Sequence, residues 1–144
     1  MGRLAGFMKA IAALFTSAQI ASADVPELSV EEVFAAAQAG EVILVDIRTP
    51  GEWNQTGMPA PAHGIDLHSP TFVEDLRALM AQNAGVPIAM ICAAGNRSSF
   101  ATSELEKHGF KDLINVPEGM MGSGNGPGWI KRGLPIRPAQ TPKN

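Results

Sequence analysis

Residues 86–100 read VPIAMICAAGNRSSF, an apolar run that ends on a cysteine and gives way to small, turn-forming and cationic residues. The run from Val86 to Cys92 is short and unbroken by charge, the pattern of a strand buried on both faces. Beyond it, SSFATSELEKHGF (98–110) has Phe100 and Leu105 among its apolar positions, His108 near its end and Gly109 as a stop. That is a helix with a glycine cap. The only cysteine of the chain therefore sits where a buried strand turns toward a helix.

The same alternation extends on both sides. In LSVEEVFAAAQAG (28–40), Ser29 and Glu32 have capping-box spacing, Val30, Val33, Phe34 and Ala37 are apolar, and Gly40 is a stop. EVILVDI (41–47) reads as another doubly buried strand, ending near Asp46. The proline and glycine content from Thr49 to Gly64 predicts a loop. Ser69-Pro70 predicts an N-cap and first-turn proline for a helix with Phe72, Leu76, Leu79 and Met80 on one face. DLINV (112–116) predicts a third strand, and in the Gly- and Pro-dense tail from Pro117 to Asn144, Trp129 and Ile130 are the expected anchors. Helices alternating with apolar strands imply one α/β domain with a mostly parallel sheet and helices on both faces.

A chain of 144 residues, 45% hydrophobic and 17% charged, suits a single folded domain. Its net charge of −3 and lack of a basic run argue against nucleic acid or an anionic membrane as partner. Residues 1–23 read differently. Arg3 and Lys9 precede an apolar stretch from Ala10 to Ile20, and Ala21-Ser22-Ala23 has the small-x-small pattern of a signal-peptidase site. The apolar stretch is about half of what a bilayer span requires, so a permanent anchor is not expected. The expectation is a signal peptide over 1–23 and a domain over 24–144, periplasmic or secreted. Cleavage removes two cations and no acid, taking the net charge to −5.

Export makes a lone cysteine notable, because one thiol cannot form an internal disulfide. It is either a small buried core residue or a group with a task. Ala93, Ala94 and Gly95 leave room for their amides to curl round one centre, and Gly95 and Asn96 tolerate positive φ. Amides at a helix start bind anions, and such a nest, with Arg97 beside it, favours thiolate over thiol. Parallel sheets bind ligands beyond the carboxyl ends of their strands, where VDIR and MIC both deliver polar residues.

At these residues the chain resembles the rhodanese (sulfurtransferase) family. VDIRTPGEW (45–53) is similar to its Asp-x-Arg signature, ICAAGNRS (91–98) to its Cys-x-x-Gly-x-Arg-Ser loop, and VPEGMMGSGNGPGWIKRGLPI (116–136) to its closing segment. The resemblance implies a rhodanese-like domain over the chain after residue 23, without metal or organic cofactor. Cys92 would take the outer sulfur of thiosulfate or a persulfide and pass it to cyanide, a thiol or a protein acceptor. Ala93, Ala94, Gly95, Asn96, Arg97 and Ser98 would bind the donor, with Arg97 on its oxygens, and Asp46, Arg48 and Glu52 would support the loop. The residues themselves leave a second possibility for those three, a salt-bridged brace.

Two other activities compete. Four residues separate Cys92 from Arg97, whereas the rhodanese-fold phosphatases have five, so a phosphatase or arsenate reductase fits less well. A sulfur carrier or redox-sensing module loaded by a partner would use the same cysteine without turning over free thiosulfate. Small side chains at 93 and 94 predict an open pocket. Met58 stands where many rhodaneses have a histidine, and Gly122–Gly128 lengthens the closing segment, as a lid, a partner surface or a solvent-exposed loop. His63, His68 and His108 lack metal-ligand spacing.

Overall fold

The computed structural model describes residues 25–139, so the expected leader and its cleavage site lie outside the described residues. The elements are α1 (Val30–Gln38), β1 (Ile43–Asp46), α2 (Pro50–Thr56), β2 (Met58–Pro59), β3 (His63–Gly64), α3 (Phe72–Gln82), β4 (Ile88–Ile91), α4 (Asn96–Lys107), β5 (Leu113–Val116) and β6 (Ile136–Arg137). Four strands form a parallel sheet in the order β3-β1-β4-β5. Residues 26–28 extend it past β5, where Leu28 N–H donates to Asn115 O at 3.1 Å and Asn115 N–H to Pro26 O at 2.9 Å.

Helices cover both faces, as the pattern of apolar strands requires. Val30, Val33 and Ala36 of α1 pack with Leu44, Ala89, Ile91, Ile114 and Val116. On the opposite face, Phe72, Leu76 and Leu79 of α3 and Ala101 and Leu105 of α4 pack with Val45, Ile88, Met90 and Leu113. Alternate residues of each strand thus serve opposite layers, which is why no polar residue interrupts β4.

Two local expectations are corrected, and the tail adds a strand. The segment 49–64 is not a plain loop, because a capping box overrides its composition. Glu52 N–H donates to Thr49 Oγ1 at 3.3 Å and Thr49 N–H to Glu52 Oε1 at 3.2 Å, with Pro50 in the first turn, where its missing N–H costs nothing. The helix expected after Ser69-Pro70 begins later, at Phe72. Ser69 Oγ is engaged by Thr71 N–H at 3.2 Å, so it closes a turn and does not cap. The tail contributes β6, antiparallel to β2 through Met58–Arg137 and Pro59–Ile136.

The tail's anchor is the expected one. Trp129 is fully buried, meets Phe34 of α1 edge-on at 5.6 Å between ring centroids, and donates its Nε1–H to Pro135 O at 2.9 Å. Ile130 is half-buried against the same cluster.

Candidate active site

Cys92 follows the last residue of β4, at the carboxyl edge of the sheet. The chain must turn sharply there to enter α4, and Gly95 makes the turn with φ +91°. A Cβ at this position would collide with the carbonyl oxygen of Pro117, so the close approach of the two loops also requires glycine. Asn96 keeps a negative φ, as the first helical residue of α4.

The turn aims donors at sulfur. Gly95 N–H donates to Cys92 Sγ at 3.1 Å and Ser98 N–H at 3.3 Å. Ser98 Oγ lies 3.4 Å from Sγ and donates to Gly95 O at 3.2 Å. Both amides belong to the first turn around α4, where N–H groups have no intrahelical acceptor, so an anionic sulfur there is solvated by backbone. Of the expected loop residues, Gly95 and Ser98 make the contacts to sulfur, while Ala94 and Asn96 are exposed on the rim and Ala93 is half-buried.

The expected open pocket is corrected: Cys92 is 1% exposed. The closing segment lies against the loop, with Met120 N–H donating to Cys92 O at 2.9 Å and Met121 N–H to Ala93 O at 2.8 Å. Small side chains at 93 and 94 admit this backbone, and a Cβ on Gly119 would strike Ala93 O.

Arg97, expected to face the donor's oxygens, is paired with a carboxylate. Its Nη1 and Nη2 donate to Glu52 Oε1 and Oε2 at 2.7 and 2.8 Å, a bidentate pair joining α4 to α2. These hydrogen bonds, opposed by burial and aided by Thr49, hold the Glu52 carboxyl down at about 2. The same bonds raise the Arg97 guanidinium above its ordinary value against the opposing effect of burial, and the nearby Asp46 carboxylate adds to this. Glu52 is thus a direct counter-ion of the loop arginine.

Asp46 and Arg48 form the second pair, and here the brace reading describes the geometry. Arg48 is 1% exposed and Asp46 is fully buried. Arg48 Nε donates to both Asp46 oxygens at 3.0 and 3.1 Å, and Nη2 to Oδ2 at 2.8 Å. Its remaining donors reach Thr56 Oγ1 and Gly57 O, each at 2.9 Å, fixing the end of α2 to the end of β1.

Glu118 carried no signal of its importance in the sequence. It is 1% exposed between the Cys92 loop and the glycine-rich segment. Its carboxylate accepts Gly128 N–H at 2.8 Å and the Nε–H of Arg132, whose Nη1 also pairs with Glu31 of α1. Burial raises the Glu118 carboxyl, but the bonds from Arg132 and Gly128 outweigh it and leave the group below the ordinary carboxylate value. Gly122–Gly128 is therefore a braced turn, tied further by Ser123 N–H to Gly126 O at 2.9 Å. His68 is exposed beside Asp66, and among the described residues no three His, Cys, Asp or Glu side chains converge as a metal site.

Comparison with known proteins agrees with this architecture. The model of the rhodanese-like domain matches residues 29–123. An uncharacterized protein of Rickettsia prowazekii is 27% identical over 99 residues, covering 64% of this chain and 80% of its own. A candidate sulfur carrier protein of Bacillus subtilis, YrkF, is 31% identical over 100 residues, covering 69% of this chain and 51% of its own. Among solved structures, the polysulfide-sulfur transferase homodimer of Wolinella succinogenes shares the fold at a TM-score of 0.57 and 23% identity, with 89% of each chain covered. With a parallel α/β sheet, a cysteine loop at its carboxyl edge and a family match over most of its length, the chain belongs to the rhodanese-like domain family.

Proposed function

We propose that this protein is a sulfurtransferase in which Cys92 carries sulfur as a persulfide. The observation that carries the reading is the pair of backbone amides, Gly95 and Ser98, directed at the sulfur of the chain's single thiol. Such donors stabilise negative charge on sulfur before and after transfer, whether it resides on the thiolate or on the terminal persulfide sulfur.

The transfer is a displacement. The Cys92 thiolate attacks the outer sulfur of thiosulfate or of an alkyl persulfide, forming one S–S bond while the donor's S–S bond breaks. The electron pair of the broken bond leaves with sulfite or with the donor thiolate. Attack by cyanide or a thiol on the terminal sulfur then returns the Cys92 thiolate, with no net oxidation of the protein. The proposed donor-binding surface is the rim of residues 93–98. Asp46 and Arg48 position the end of α2, and through it Glu52.

The burial of Cys92 and the similarity to a candidate sulfur carrier favour one second reading, a carrier loaded by a protein partner. Turnover separates the two. Thiocyanate release from thiosulfate or an alkyl persulfide with cyanide should continue for many equivalents per protein if the chain is an enzyme. It should stop near one equivalent if the chain is a carrier. The same proposal takes residues 1–23 as a leader removed on export to the periplasm or medium. A mature mass beginning at Asp24 is the result it expects.

A further inference from the structure

We infer that Glu52 selects the sulfur donor by its charge: by neutralising Arg97, it turns the site toward uncharged or singly charged persulfides and away from dianionic donors. The inference rests on the sulfurtransferase reading.

Three observations support it. The two guanidinium groups placed around the loop by Asp46-x-Arg48 and by Arg97 each carry a bidentate carboxylate, Asp46 on Arg48 and Glu52 on Arg97. Neither pair offers an uncompensated cation to an incoming sulfonate-like group. The amides that touch the site's sulfur are already committed to it. Finally, Glu52 is a fixed counter-ion, since its Oε1 also accepts Thr49 N–H at 3.2 Å and Thr49 Oγ1–H at 3.1 Å. It cannot swing away from Arg97 without undoing the cap of α2.

A dianion approaching a thiolate needs positive charge to offset the repulsion, and here Arg97 supplies it with its counter-charge attached. An alkyl persulfide transfers its outer sulfur without bringing sulfonate oxygens. Its leaving thiolate carries one charge where sulfite carries two. Glu52 acts through Arg97 and is a positioning residue, distinct from the nucleophile.

Glu52→Gln is the informative variant, because glutamine at the third helical position preserves a capping box while removing the charge. The assay is steady-state thiocyanate release with two donors, thiosulfate and 2-hydroxyethyl persulfide, at equal ionic strength. The expected result is a KM for thiosulfate lowered about tenfold or more, the scale of one charge-assisted hydrogen bond, with the persulfide KM changed by less than about threefold. Adding Arg97→Gln should erase the gain, and Glu52→Asp should keep the wild-type donor ratio. Should Glu52→Gln fail to fold, Arg97→Gln alone should raise the thiosulfate KM and spare the persulfide KM. An unchanged donor ratio in these variants, with wild type turning over, overturns the inference and leaves the sulfurtransferase standing. Absence of turnover with either donor in wild type overturns both.

Discussion

Replacement of Asp46 by alanine should be among the most destabilising single changes at the edge of the site. Asp46 is fully buried and is the carboxylate partner of Arg48, which is 1% exposed. The change leaves a buried guanidinium with two neutral acceptors, Thr56 Oγ1 and Gly57 O. Breaking one side of a buried pair costs about 3–5 kcal/mol, because the surviving charge keeps its desolvation penalty and loses its compensation. For a domain of this size each kcal/mol moves Tm by about 3–5 °C, so a fall of about 10–20 °C is expected by thermal circular dichroism. Urea unfolding should show the same loss with an unchanged m value. Removing both charges with Asp46→Leu and Arg48→Met should recover at least half of it, since a matched apolar pair has nothing to desolvate. A loss under about 1 kcal/mol for Asp46→Ala, or a double variant no better than the single, would refute the brace.

Two further predictions follow from the loop. Gly95→Ala should cost about 2–4 kcal/mol, from the left-handed backbone and the collision with Pro117, and should slow sulfur loading as the Gly95 amide leaves the sulfur. Urea unfolding and the rate of persulfide formation check the two halves separately. The Glu52–Arg97 pair should show in the pH dependence of stability. The folded Glu52 carboxyl is held at about 2 against an ordinary 4.5, so its stabilisation is complete above pH 4.5 and is lost as the pH falls toward 2. With both side chains 29% exposed, screening reduces this to about 1 kcal/mol, and Glu52→Gln should lose that part of the acid slope in unfolding curves between pH 5.5 and 3.

Strands β1, β4 and β5 and the glycine turn after Cys92 are legible in the sequence because each rests on a contiguous pattern. Apolar runs flanked by turn residues can be read from neighbours alone, and the buried anchor Trp129 stands out as a large apolar side chain in a Gly- and Pro-rich tail. Helix α2 is less legible because Pro50, Gly51 and Gly57 suggest a loop. Yet Thr49 and Glu52 have the same spacing as Ser29 and Glu32, so the signal was present. The Glu52–Arg97 pair joins residues 45 positions apart, and Glu118 is buried by segments that approach it from Arg132, Gly128 and α1. No local pattern encodes such meetings; they appear only when the sheet order brings the loops to one edge.

The most direct test of sulfur transfer at Cys92 is intact-protein mass spectrometry of the wild type and Cys92→Ser after incubation with thiosulfate or 2-hydroxyethyl persulfide, before and after cyanide. The prediction is a gain of one sulfur atom by the wild type alone, lost again on adding cyanide. A wild type that gains no sulfur from either donor, or a Cys92→Ser variant that gains it equally, would contradict the assignment of Cys92 as the sulfur-carrying nucleophile.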